Sequence, residues 1–90
     1  VREIVQFKAN KEHGPYKRYH ENGQLASTGQ FEDEKEEGYW EYFYESGALK
    51  EKVNYDNGWE HGVVVVFKEE GDTSKKIIYE NGRVKEYKEY

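Results

Sequence analysis

The sequence repeats itself with a 24-residue period, and so short a period restricts the chain to a stack of small, similar units. Two glycine series and several series of aromatic or branched apolar residues share this spacing. They are Gly14, Gly38 and Gly62; Gly23, Gly47 and Gly71; Tyr16, Trp40 and Val64; Tyr19, Phe43 and Phe67; Gly29, Val53 and Ile77; and Phe31, Tyr55 and Tyr79. Because several independent series keep one register, we take the repeat as the organising feature of the chain.

Each repeat reads as a β-hairpin. It holds two short runs rich in Tyr, Phe, Val and Ile, separated by Gly, Asn, Asp and Ser. Since short connections favour antiparallel pairing of consecutive strands, the sequence predicts an all-β fold. We expect an antiparallel β-hairpin repeat array, a single-sheet meander with a 24-residue period, about eight strands and no helices. The strands are expected near residues 2–8, 15–20, 24–31, 38–44, 48–55, 62–68, 72–79 and 83–90.

The turn that contains the second glycine series sets the strand register. A two-residue type I′ turn would force positive φ on the residue before glycine, which Glu70 resists. A three-residue loop requires positive φ at the glycine alone, so we predict that geometry for residues 21–23, 45–47 and 69–71. This turn pairs the strand residues on either side of it. The predicted pairs are Tyr19 with Leu25, Phe43 with Leu49, and Phe67 with Thr73.

Strict alternation from these pairs predicts which residues form the core face. That face continues from Leu25 and Leu49 through the Gly29, Val53 and Ile77 series to the Phe31, Tyr55 and Tyr79 series. Alternation also places Trp40 and its equivalents on the other face, unless a β-bulge realigns them.

We expect one domain over residues 1–90, because the chain is short and the repeats are continuous. The predicted parts are a partial repeat at 1–13, repeats at 14–37, 38–61 and 62–82, and a capping strand at 83–90. Glu86 stands where a fourth repeat would have glycine, and aligning the last strand with residues 24–31 places Val84 at the position of Leu25. A charged last strand protects a sheet edge against further pairing.

The composition is close to that of intrinsically disordered chains. Hydrophobic residues make up 34% and charged residues 37% of the chain, and mean hydropathy is -1.24. The aromatic fraction of 17% nevertheless indicates folded structure, because disordered chains are poor in aromatic residues. Tyrosine and tryptophan suit a thin sheet whose faces are partly in water.

Charge and hydropathy limit the partners. A net charge of -5 makes nucleic acid an unsuitable partner for the surface and favours a basic protein. The longest apolar run, residues 63–67, is far shorter than the roughly 20 residues of a transmembrane helix. The chain begins at Val1 without a visible signal peptide. The sequence leaves the localisation open between a cytoplasmic protein, which is slightly favoured, and an exported protein whose leader has been removed; the oligomeric state is not indicated.

No pattern in the sequence indicates catalysis, a metal or a cofactor. The chain has no cysteine, no GxSxG elbow and no phosphate-binding loop. His13 and His61 share a slot that holds Glu37 in the middle repeat, which is typical of a solvated turn position. A metal site needs several ligands close together, and residues one or more hairpins apart do not meet. We therefore predict no enzyme activity, no catalytic residues, no metal site and no cofactor.

Two features indicate protein binding. Aromatic residues exceed what a solvated face needs and resemble an interface core; the candidates are Tyr16, Arg18, Trp40, Tyr42 and Tyr44. The alternative is that they form a second small core. The acidic segment at residues 32–37 would attract a basic partner; its candidates are Glu32, Glu34 and Glu36. The alternative is a solvated loop between hairpins.

The repeat resembles a known family. The second repeat has Gly38, Trp40, Phe43, Tyr44, Ser46, Gly47 and Leu49, followed by Tyr55-Asp56-Asn57-Gly58 and His61-Gly62. This pattern is similar to the MORN-repeat variant and to the repeats of bacterial antitoxins of the YwqK family, over roughly residues 13–82. The third repeat departs from it, with valine at residues 63–66 and Thr73 in place of leucine.

The resemblance implies a non-enzymatic, protein-binding β-hairpin array. Its most specific form is an antitoxin or immunity protein that occludes a toxin with a preformed sheet face, and a basic toxin would suit the charge of the chain. Two alternatives remain open. One is a structural or cell-envelope-associated repeat array, since classical MORN repeats are linked to membranes. The other is an accessory domain of a larger protein, since similar repeats precede a lysine methyltransferase domain.

Overall fold

The computed structural model describes residues 2–90 and places them in one antiparallel sheet of ten strands, with no helix in that range. The Cα atoms extend over 43 × 34 × 13 Å, so the sheet is a single layer. The strands are β1 (Arg2–Lys8), β2 (Lys11–Tyr19), β3 (Leu25–Glu32), β4 (Lys35–Glu36), β5 (Gly38–Phe43), β6 (Leu49–Asp56), β7 (Trp59–Glu60), β8 (Gly62–Phe67), β9 (Thr73–Glu80) and β10 (Arg83–Glu89). The predicted all-β repeat array is confirmed.

The strand order is that of a meander, β1-β2-β3-β5-β6-β8-β9-β10. Each of the two short strands comes just before a longer strand and pairs with the same neighbour. β4 and then β5 pair with β3, and β7 and then β8 pair with β6. The break falls at the first glycine series, where Gly38 and Gly62 have φ of 73° and 84°. Glycine takes such angles at no steric cost, so these glycines let each strand change direction as it leaves the previous hairpin.

Two kinds of turn alternate along the chain. The three-residue turns have the predicted form: φ is 89° at Gly23, 95° at Gly47 and 108° at Gly71, and the predicted strand pairs next to them are present. At the opposite edge lie two-residue turns with positive φ at both residues, which is the type I′ pattern. They are Ala9-Asn10, Asp33-Glu34, Asn57-Gly58 and Asn81-Gly82.

Hydrogen bonds between equivalent positions hold neighbouring repeats together at this second edge. The backbone N–H of Glu34 donates to the Glu12 carbonyl, and the N–H groups of Gly58 and Gly82 donate to the carbonyls of Glu36 and Glu60, each at 2.9 Å. The three bonds occupy the same position in successive repeats. Each of the last three type I′ turns is therefore fixed by the repeat before it.

The last strand has a different alignment from the one that the sequence suggests. The turn at Asn81-Gly82 is in step with the turn at residues 57–58, so β10 corresponds to β7 and β8 and not to β3. Lys88 stands opposite Lys76 and Glu89 opposite Lys75, as Val65 stands opposite Lys52 and Val66 opposite Glu51 one repeat earlier. Glu86 stands at the position of Gly38 and Gly62 but does not have their positive φ. The bulge in β10 is therefore one residue shorter than the break between β7 and β8.

A β-bulge in each hairpin overturns the expectation from strict alternation. The register shifts between Tyr42 and Phe43, so Trp40 has Val53 as its cross-strand partner and lies on the same face. Equivalent shifts follow Arg18 and Val66. The buried apolar side chains include Trp40 and Val53, both 3% exposed, and Val64, 2% exposed. We call this side of the sheet, which carries Tyr16, Trp40, Val64 and their cross-strand partners, the front face.

Candidate binding face

Trp40 is the centre of an aromatic cluster on the front face. Its ring centroid lies 5.1 Å from that of Phe31, 5.3 Å from Tyr16, 6.1 Å from Tyr55 and 6.4 Å from Tyr42. Phe31 and Tyr55 meet the indole edge to face, whereas Tyr42 is stacked on it. These are favoured geometries for aromatic pairs, so the cluster is a specific packing arrangement.

A glycine on the neighbouring strand makes room for the indole. A Cβ atom at Gly29 would overlap the Trp40 ring. The indole N–H donates to the Gln30 carbonyl at 3.1 Å, which satisfies its polar atom. Trp40 is therefore buried in a sheet of one layer, because its neighbours supply the cover that a second layer would otherwise give.

The tyrosines around Trp40 carry hydroxyl groups at the surface of the cluster. Tyr16 donates to the Glu3 carboxylate at 2.7 Å, and the hydroxyls of Tyr42 and Tyr55 lie 3.3 Å apart. Burial, together with the hydrogen bond to Glu3, raises the pKa of Tyr16 to about 12. Burial also raises the pKa of Tyr42 and Tyr55. All three phenols thus remain neutral near pH 7 and serve as hydrogen-bonding groups.

Carboxylates lie along the same face. Glu36 is the cross-strand partner of Phe31, Glu60 that of Tyr55, and Glu51 that of Tyr42. Burial raises the pKa of Glu51, with the Lys50 and Lys75 charges acting in the opposite direction. Among the side chains that the structure describes, the only ion pair joins Lys85 to Glu80, so the three front-face carboxylates have no cationic partner among them. The front face therefore combines aromatic surface with negative charge.

A small cavity lies on this face where the second and third repeats meet. It has a volume of about 100 Å3. Its lining consists of Tyr42, Glu51, Val53, Tyr55, Glu60, Val64 and Tyr79. Of these residues the sequence singled out only Tyr42 for binding. A usable signal was present, since Glu12, Glu36 and Glu60 stand one repeat apart and so share a slot.

The structure brings together part of the predicted site. Tyr16, Trp40 and Tyr42 belong to the aromatic cluster, and Glu36 lies beside it. Arg18 is paired with Glu3 and Ser27 on neighbouring strands, in the row that also contains Tyr42. With 3% exposure, Trp40 supports the face from beneath and offers almost no surface of its own.

The other predicted residues lie apart from the cluster. Tyr44 follows the end of β5, where its hydroxyl donates to the Phe67 carbonyl at 2.7 Å, so it joins two repeats at the edge with the three-residue turns. Glu34 forms part of the type I′ turn at the opposite edge, and Glu32 lies just before that turn. Both glutamates are exposed.

In the part of the chain that the structure describes, no group of three His, Asp or Glu side chains has a geometry that would hold a metal ion. Residues 2–90 also contain no helix with the length and hydrophobicity needed to cross a bilayer.

Comparison with known proteins gives one match. The sequence model of the MORN repeat variant matches residues 12–33 and 36–57, which are two adjacent repeats. MORN repeats are generally non-catalytic binding modules, and protein and membrane lipid are both suggested partners. No curated protein and no solved structure matches the chain. The match ends before the third repeat, which carries the run of valines.

Proposed function

We propose that this MORN-type repeat sheet is a non-catalytic protein-binding module that receives a basic partner on its front face. The observation that carries the proposal is the combination of half-exposed tyrosines with carboxylates that lack an internal cation among the described side chains. Tyrosines give large contact area at low entropic cost, which makes them effective at interfaces. Unpaired carboxylates beside them select a partner of opposite charge.

The remaining predicted residues have distinct roles in this proposal. Tyr16, Arg18 and Tyr42 contribute contact area and hydrogen bonds, whereas Trp40 holds the face rigid from below. Glu32 and Glu34, at and beside the turn tip, extend the negative potential along the sheet edge together with Glu36. Long-range attraction of this kind acts mainly on the association rate and weakens with salt.

The most specific form of this function is that of an antitoxin which occludes a basic toxin. A single-layer sheet fixed by aromatic packing and by hydrogen bonds between repeats is preformed, so binding would cost little ordering entropy. The resemblance to repeats of bacterial antitoxins supports the same reading. Occlusion requires only that the face cover the functional surface of the toxin.

The test is to isolate partners from the source organism by affinity capture and to measure their affinity with purified protein. Glu36→Lys reverses a charge on the front face. Glu41→Lys makes the same change on the opposite face, because Glu41 lies between Trp40 and Tyr42 on β5. We expect Glu36→Lys to weaken binding about tenfold, mostly through slower association, and Glu41→Lys to have little effect. A specific partner that binds both variants and the parent equally would contradict the proposed surface.

A further inference from the structure

The front-face cavity of the third repeat lies where the second repeat has an indole ring. A shift of one repeat carries Trp40 onto Val64, and it carries Gly29 onto Val53. The same shift carries the aromatic neighbours of the indole, Phe31 and Tyr55, onto Tyr55 and Tyr79. Val64 is much smaller than tryptophan, so the space between the two aromatic positions is only partly filled. The cavity of about 100 Å3 is what remains.

The lining of this cavity favours a cation with an apolar stem. Val53 and Val64, which are 3% and 2% exposed, are apolar and almost fully buried. Tyr55 and Tyr79 provide aromatic surface, which attracts ammonium and guanidinium groups. Glu51 and Glu60 add two carboxylates. An anion would be repelled, and an uncharged chain would leave both carboxylates unpaired.

No described side chain forms an ion pair with these carboxylates. Lys50 and Lys75 are near enough to influence Glu51 electrostatically, but neither forms an ion pair with it. Glu60 acts on Glu51 in the opposite direction, as a like charge. Half-buried, like-charged carboxylates are costly unless a cation lies between them. A bound cation would relieve both the repulsion and the desolvation.

We infer that this cavity binds the cationic end of one lysine or arginine side chain from the protein partner, with its alkyl stem against the rings of Tyr55 and Tyr79 and its charge between Glu51 and Glu60. The inference rests on the proposed function and assigns it a central anchor. Interfaces of this kind gain most of their affinity from a few side chains that fill pockets. Val64 and Tyr79 of the third repeat, which departs from the family pattern, thus complete a cavity whose two carboxylates belong to the second repeat.

The test uses N-acetyl-arginine amide and N-acetyl-lysine amide as probes, with the uncharged N-acetyl-norleucine amide as the control. Binding is followed by the amide and side-chain NMR shifts of the 15N,13C-labelled protein. We expect saturable shifts confined to Glu51, Glu60 and Tyr79 with the two cations, at a Kd on the order of millimolar for so small a ligand. Equal shifts with the norleucine amide, or shifts spread over both faces, would overturn the inference.

Isosteric variants separate charge from shape. Glu51→Gln/Glu60→Gln should weaken binding of the arginine probe by at least about fivefold, because only the carboxylates are removed. Glu41→Gln is the control, since Glu41 lies on the opposite face, between Trp40 and Tyr42 on β5, and does not line the cavity. Unchanged NMR shifts outside the cavity establish that the variants fold. An equal loss in the control, or no loss in the double variant, would contradict the assignment.

The pH dependence gives an independent readout. Binding of the arginine probe should weaken as the pH falls through the raised pKa of Glu51, because protonation removes a carboxylate. The charged or titratable groups facing Glu51 are Glu60, Tyr42, Lys50 and Lys75. The Glu51→Gln variant should lose this dependence. If the variant retains the parent profile, Glu51 does not contact the cation.

The two proposals fail in different ways. If a basic partner is captured but neither probe binds and Glu51→Gln/Glu60→Gln leaves its affinity unchanged, the cavity is not the anchor, while the binding function stands. If both probes bind the cavity but the front face captures no basic partner, the protein-binding function fails, while the cation site stands.

Discussion

The second and third repeats share one backbone but cover the front face differently. Both have the same bulge, the same cross-strand pairs and the same two turn types. In the second repeat Trp40 lies over Gly29 and fills the space between its neighbours, whereas in the third repeat Val64 stands beside Val53 and leaves a cavity. The architecture therefore tolerates a change in the central side chain, and that change alters what the surface can bind.

The two substitutions in this comparison depend on each other. The indole of Trp40 requires that its neighbour on the previous strand be glycine, since a Cβ atom there would overlap the ring. Where the central residue is valine, that neighbour can be Val53. Large and small residues are thus exchanged between adjacent strands, and both arrangements bury their central residue to 3% exposure or less.

The largest expected effect comes from truncating the central residues. Trp40→Ala should reduce the free energy of unfolding by about 3 to 5 kcal/mol, because it removes the ring on which four aromatic side chains pack. Val64→Ala should cost only about 2 kcal/mol, since two methyl groups are lost beside an existing cavity. Urea denaturation monitored by circular dichroism measures both. Equal losses would show that the cluster has no special role in stability.

A smaller effect is expected from converting the third repeat into the second. In Val64→Trp the new indole collides with Val53, just as the Trp40 indole would collide with any side chain at residue 29. We therefore expect the free energy of unfolding to fall by about 1 to 3 kcal/mol. Adding Val53→Gly removes the collision, and the double variant should be about 1 kcal/mol more stable than Val64→Trp alone. Thermal unfolding of both variants gives the comparison. A double variant less stable than Val64→Trp would show that the exchange between strands is not compensatory.

The smallest effect concerns Glu51 and pH. Because the folded state raises its pKa, the fold binds this proton more readily than the unfolded chain, and stability increases as the pH falls through the raised value. Glu51→Gln imitates the protonated form, so it should be more stable than the parent at pH 7 by less than about 1 kcal/mol, because the group is half exposed. The gain should vanish below the ordinary glutamate pKa of about 4.3.

Melting temperatures across this pH range test the prediction. Glu41→Gln on the opposite face gives the background effect of exchanging a carboxylate for an amide. A gain of equal size at pH 7 and pH 3.5 would show that it does not arise from the charge of Glu51.

Most of the fold could be predicted because its signals are local. The three-residue turns followed from Glu70 beside Gly71, and the pairs at Tyr19, Phe43 and Phe67 followed from those turns. The alignment of the last strand was wrong because Asn81-Gly82 looked like a copy of residues 22–23. Its true equivalents, Asp33-Glu34 and Ala9-Asn10, show that residues other than glycine also take the type I′ conformation here.

The candidate site was predictable only in part. Tyr16, Trp40 and Tyr42 were singled out because the aromatic residues on one face exceed what a solvated face needs. Their placement was missed, since one extra residue in a bulge reverses the side-chain alternation beyond it. Glu51 gave no signal of its own in a chain with 19 acidic residues. Glu60 recurs at the repeat spacing, but only pairing across strands shows which carboxylates meet aromatic rings.

The sequence by itself determined the repeat period, the antiparallel hairpins, the three-residue turns and the absence of a cysteine-based site. These features depend on backbone preferences and residue types within a few positions of one another. Only the tertiary structure decided that Trp40 is buried on the same face as Val53, that Gly29 leaves room for its ring, and that Val64 opens a cavity between two tyrosines. Those outcomes depend on how strands from different repeats lie beside each other, and the bulges that set this alignment involve hydrogen bonds between residues on different strands.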